Sequence, residues 1–135
     1  MPNSQAVGVA YSDPEFTTCY ASQEIGYSAA AQGTVTQLTS KSTAVTLNKS
    51  MGRITMNNAS LATATNATFT LNNTTISAND TVILTISGGQ ATPGSYNAFA
   101  NALDTGSVSI TLRNISGGSL SEAVVINFCV LHGAA

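Results

Sequence analysis

The residue types that do most enzymatic and metal chemistry are scarce in this chain: 135 residues hold one histidine, two cysteines and six carboxylates. His132 stands beside Gly133 near the end of the sequence, and any Ser/His/Asp or Cys/His relay would have to use it. A terminal, hydrogen-bonded or solvated imidazole is the reading its position favours. Cys19 and Cys129 lie at opposite ends of the chain, without the C-x-x-C type of spacing that metal ligands show. They read as two free thiols, as a reducing compartment would keep them. Gly117-Gly118-Ser119-Leu120-Ser121 departs from the G-x-S-x-G nucleophile pattern and lacks its strand-to-helix setting. Asp13, Glu15 and Glu24 are close in sequence but read as solvated carboxylates, while Asp80 and Asp104 each precede a strand, where an Asx turn accounts for them. An enzyme degrading polysaccharide would need paired carboxylates about 5–10 Å apart in a cleft, and few are available. No catalytic residue, cofactor or metal site is therefore expected, and the chain is not expected to be an enzyme. Seven Asn-x-Ser/Thr triplets, among them Asn66-Ala67-Thr68 and Asn114-Ile115-Ser116, read as a consequence of composition.

The elements that would position these groups follow from the rest of the composition. Four Lys+Arg and six Asp+Glu amount to 7% of the chain, whereas a typical soluble protein of this length would carry about 34 charges. Ser, Thr and Asn together make up about a third of the residues. A net charge of -2 provides no basic footprint for phosphate, which argues against nucleic acid and against an anionic membrane surface. The Met-Pro-Asn-Ser-Gln start lacks the basic and apolar regions of a secretory signal, so synthesis in a cytoplasm is expected. The longest strongly apolar run, Ala123 to Leu131, is too short to span a bilayer.

From Gly33 onward apolar and hydroxyl residues alternate with period two, the signature of half-buried strands. Strands are predicted at Thr34–Leu38, Thr43–Leu47, Arg53–Asn57, Ala67–Asn72, Thr81–Ser87, Ser95–Leu103, Ser107–Arg113 and Ala123–Leu131. The eighth is apolar on both faces and reads as central, and Ile83 beside Val82, Leu84 and Ile86 makes the fifth a second candidate for the centre. Phe69, Leu84, Ile110, Ile126 and Phe128 are predicted to share one core. Gly88-Gly89 and Gly117-Gly118 read as tight turns using positive φ, Asn57-Asn58 and Asn72-Asn73 as turns using the left-handed region, and Ala59–Ala64 as one helical turn. The expected architecture is all-β, a single β-sandwich or jelly-roll-like domain over residues 33–135 preceded by an extended N-terminal arm, residues 1–32.

The arm holds three of the six acidic residues and three of the four tyrosines but little alternation. It reads as a segment ordered by a partner surface, with Val7, Val9, Tyr11 and Phe16 as the apolar anchors for contact with a partner or a neighbouring subunit. Sheet proteins usually guard their edge strands with Lys and other charges. With so few charges, a subunit whose edges are covered by neighbours is the expectation.

Three segments carry a resemblance: Gly33–Asn48 (GTVTQLTSKSTAVTLN), Gly52–Leu61 (GRITMNNASL) and Ser116–Phe128 (SGGSLSEAVVINF). Together they resemble head decoration (cement) proteins of tailed bacteriophages, including cyanophages, over roughly Gly33 to Leu131. The resemblance implies a β-rich virion subunit, often a homotrimer, that attaches to the major capsid protein on the outer surface of the head and stabilises it. It implies no catalytic residues. Similar β-domains occur in tail fibres, so a receptor-binding module of a fibre or spike is the alternative. A domain with no coiled-coil or β-helical shaft before it favours decoration.

Overall fold

The computed structural model describes residues 16–134. Its strands are β1 (Gln32–Thr36), β2 (Val45–Thr46), β3 (Met51–Thr55), β4 (Asn66–Asn72), β5 (Thr81–Gly88), β6 (Tyr96–Asp104), β7 (Ser107–Asn114) and β8 (Val125–Leu131), preceded by a 3-10 turn at Ala29–Ala31. They form two four-stranded sheets, ordered β1-β3-β8-β5 and β2-β4-β7-β6. The chain is nearly all β, and the sheets face each other as a sandwich. Each of the eight predicted strands coincides with one of these.

The alternation in the sequence explains which face is buried. Side chains at successive strand positions point to opposite faces. Ile54, Ile126, Phe128 and Val130 of the first sheet therefore meet Phe69, Leu71, Val108, Ile110 and Leu112 of the second in one cluster. Of the predicted core residues, Phe69, Ile110, Ile126 and Phe128 are buried, and Leu84 packs against them partly exposed. Three buried amides pin the connections around this core. Gln37 donates to Lys41 O and Thr43 O at 3.1 and 2.8 Å, Asn73 to Lys49 O at 2.7 Å, and Asn114 to Leu61 O and Gly118 O at 2.9 and 2.8 Å.

Several local expectations are corrected. β5 is an edge strand and not central; Ile83 points outward and is 50% exposed. β8 does lie inside its sheet, between β3 and β5. β1 pairs with β3, and β2 with β4, in parallel, because the chain crosses between the sheets at each of its first four strands. Ala59–Ala64 is not helical: Leu61 bridges to Leu120, and Ala64 instead takes the left-handed conformation at φ 57°. The Asn turns work through their side chains. The Asn57 carboxamide accepts from the Ala59 amide, and the Asn73 carboxamide accepts from both the amide and the hydroxyl of Thr75. The Asn114 carboxamide does the same for Ser116. Two of the Asn-x-Ser/Thr triplets are thus turn devices and not merely composition.

The two Gly-Gly pairs also differ. Gly89 has φ 81° while Gly117 and Gly118 have no positive φ. A Cβ on Gly89 would meet Ala123 O at 2.0 Å, so both conformation and space exclude a side chain. Gly89→Ala is expected to cost about 1–3 kcal/mol, read by urea unfolding. A cost below about 0.5 kcal/mol would show that this turn repacks freely.

Candidate functional site

The arm meets the sandwich at a short base. The Tyr27 phenol donates to Val130 O, Gln32 donates from its amide to Tyr27 O at 3.0 Å, and the Lys49 ammonium reaches Ala30 O at 2.8 Å. Burial, then the neighbouring Cys129 and Asp80, push the Tyr27 phenol up. Before this base, Phe16–Gly26 makes no hydrogen bond to the described residues of the sandwich. Phe16, Tyr20 and Ile25 are 66%, 92% and 88% exposed. Phe16, one of the four anchors expected from sequence, is therefore exposed and shares no hydrogen bond with the described sandwich, whereas Val7, Val9 and Tyr11 lie outside the described residues. Tyr20 and Ile25 were missed because they follow no period.

The outer face of the first sheet begins where the arm leaves. Register places Met51, Cys129 and Ile83 side by side on β3, β8 and β5, with Leu131 and Thr81 opposite each other beyond them. One row away, Arg53 donates to the Asn127 carboxamide at 3.4 Å. A shallow depression of about 380 Å³ runs over Gln32, Thr34, Met51, Arg53 and Asn127. The edges of this sheet are β1 and, on the side away from it, β5; β5 is the longer. It carries no charge or proline, devices that ordinarily blunt an edge, and its one bulge lies at its far end, between Ile86 and Gly88. The other edge on that rim, β6, is interrupted by a bulge between Ala100 and Ala102. The outer face of the second sheet is hydroxyl-rich: Thr68 and Thr111 hydroxyls meet at 2.7 Å, Arg113 donates to Asn66 at 3.3 Å, and Phe99 is 39% exposed.

The remaining ionisable groups serve as fasteners. The buried Lys41 ammonium donates to Asn57 O and Glu122 O, both at 2.5 Å, and burial lowers its pKa against the opposing pull of Glu122. The Glu122 carboxylate accepts from the Ala91 amide at 2.7 Å. Burial, then contact with this carboxylate, pushes the Tyr96 phenol up to about 12.

Asp80 is the most heavily bonded carboxylate. It accepts from the Ser77 amide and hydroxyl, each at 2.8 Å, from the Gly133 amide at 3.0 Å, and sits 3.0 Å from His132 Nδ1. Ser77 thus bonds the carboxylate and not the imidazole, so the three side chains do not form a nucleophile–base relay. Among the described residues no group of three or more His, Cys, Asp or Glu could hold a metal ion. The Ser77 amide foremost, then its hydroxyl, Gly133 and His132, hold Asp80 well below the usual carboxylate range despite its burial. Because the folded-state value is depressed, the stability it contributes is present above the ordinary Asp value near pH 4 and is lost as pH falls below it. The calorimetric transition is expected to drop between about pH 4 and pH 2, and to drop less steeply in Asp80→Asn. Equal slopes in the two proteins would contradict this.

Comparison with protein-family models, with curated proteins and with solved structures gives no match.

Proposed function

We propose that the protein is a structural subunit of a tailed-phage virion, a capsid decoration (cement) protein that acts as a homotrimer on the outer surface of the head. The observation that carries this reading is the arm: a segment with three exposed large apolar side chains, joined to a rigid sandwich, fits a subunit that completes itself on a neighbouring surface. The uncharged β5 edge and the resemblance of Gly33–Leu131 support it. Binding only the assembled lattice would stabilise the head by linkage, and three weak footholds joined in one trimer would act by avidity. Neither step needs catalysis, a cofactor, nucleic acid or a membrane.

The test is addition of purified protein to heads that lack it. Saturable co-sedimentation with the heads, together with a raised disruption temperature, is the expected result; absence of binding would overturn the reading. Sedimentation of the free protein at micromolar concentration tests the trimer, which a monomer both in solution and on the particle would exclude. The receptor-binding alternative draws support from Phe99, an aromatic ring open on a face of hydroxyls and amides. It requires a protein confined to the tail.

A further inference from the structure

We infer that the outer face of the first sheet is the docking site for the arm of a second copy of this chain, with residues Phe16–Gly26 of one subunit laid across Met51, Cys129, Ile83 and Leu131 of the next. The inference rests on the self-association in the reading above, and not on the capsid. Both halves of the contact are present in every molecule and both lie open. The arm carries Tyr20 and Ile25 almost wholly exposed and Phe16 about two-thirds exposed, and the face carries Ile83 at 50% and Leu131 at 62% exposure. These outward apolar side chains fall together on three adjacent strands. Grouping of this kind marks an interaction surface, unlike apolar residues scattered singly.

Charge complementarity selects the arm as the occupant. Its only charged residue from Phe16 to Gly26 is Glu24, and the only charged residue on the face is Arg53, which among the described residues has an amide as partner and no carboxylate. Covering the apolar row with this segment therefore brings one carboxylate to one guanidinium and leaves no other charge to desolvate. Reach is sufficient. The eight residues from Cys19 to the fixed Tyr27 span up to about 28 Å when extended, enough to leave the edge of one sandwich and cross the face of another. Tyr27 already bonds the Val130 carbonyl, next to Cys129 in β8, at the start of this path, so the incoming arm would continue an existing contact with that strand.

The two cysteines report the arrangement directly. Cys19 is exposed on the arm and Cys129 is half-buried in the centre of the row, both as free thiols. Full-length Cys19→Ser retains only Cys129, and full-length Cys129→Ser retains only Cys19. Treated with a short bis-maleimide, an equimolar mixture of the two is expected to give covalent dimer at least tenfold above either variant alone, and Glu24→Arg in the arm-donating copy to reduce that yield. Combining it with Arg53→Glu in the face-donating copy should restore the yield. A mixture no better than its components would overturn the inference. So would wild-type protein that cross-links only within one chain, which would place the arm on its own sheet. Decoration of heads is scored separately: protein that binds heads without this cross-link refutes arm exchange alone, and protein that cross-links but ignores heads refutes the capsid reading alone.

Discussion

Replacing Phe128 by alanine is expected to lower the unfolding free energy by about 3–5 kcal/mol. The ring is 1% exposed at the middle of β8, and β8 is bonded on both sides, to β3 and β5. It is also packed tightly from the facing strand. Gly52 stands opposite Phe128 in the register, and a Cβ there would come within 2.7 Å of the ring and 2.6 Å of Leu47. Glycine at position 52 thus makes room for the aromatic side chain, and alanine at 128 would leave a cavity that the rigid strand backbones could close only in part. For a domain whose total stability is about 5–15 kcal/mol, that loss is a large fraction. Equilibrium denaturation reads it. A change below about 1 kcal/mol would mean that the core does not depend on β8 in this way.

Removing residues 1–26 is expected to do the opposite: little to the fold and much to attachment. Phe16–Gly26 shares no hydrogen bond with the described sandwich, and its large side chains are exposed, so the unfolding free energy should stay within about 1 kcal/mol of the full chain. Tyr27, Lys49 and Gln32, which fasten the arm's base, are retained. Occupancy on heads at concentrations below saturation should fall by about 100-fold, because tethered footholds contribute through effective concentration and their gain disappears together. Equal occupancy by full-length and shortened protein would take the arm out of the attachment. A thermal transition lowered by many degrees would instead make the arm a part of its own domain.

Much of the fold was legible because period two is a local signal. Val108, Ile110 and Leu112 alternate with hydroxyls, and the strand they predict is β7 with those three buried. Pairing is not local, and there the sequence misled. Ile83 beside Leu84 suggested a strand covered on both faces, yet Ile83 is apolar on an open face, level with Cys129 and Met51. Nor could alternation reveal that β1 and β3 run parallel, since that depends on where the intervening β2 crosses to the other sheet. Asn114 shows a third limit. Its triplet with Ser116 was common enough in this composition to look incidental, but the buried carboxamide organises both sides of a turn. Of the candidate site, Phe16 and the tyrosine-rich arm could be read from sequence. The apolar row on the first sheet could not, because Met51, Ile83, Cys129 and Leu131 come together only through register.

The central claim is that this subunit covers the head, and copy number per virion tests it most directly. Quantitative mass spectrometry of purified particles, scaled to the major capsid protein, is predicted to find hundreds of copies per virion. A few dozen or fewer would contradict decoration and place the protein in the tail.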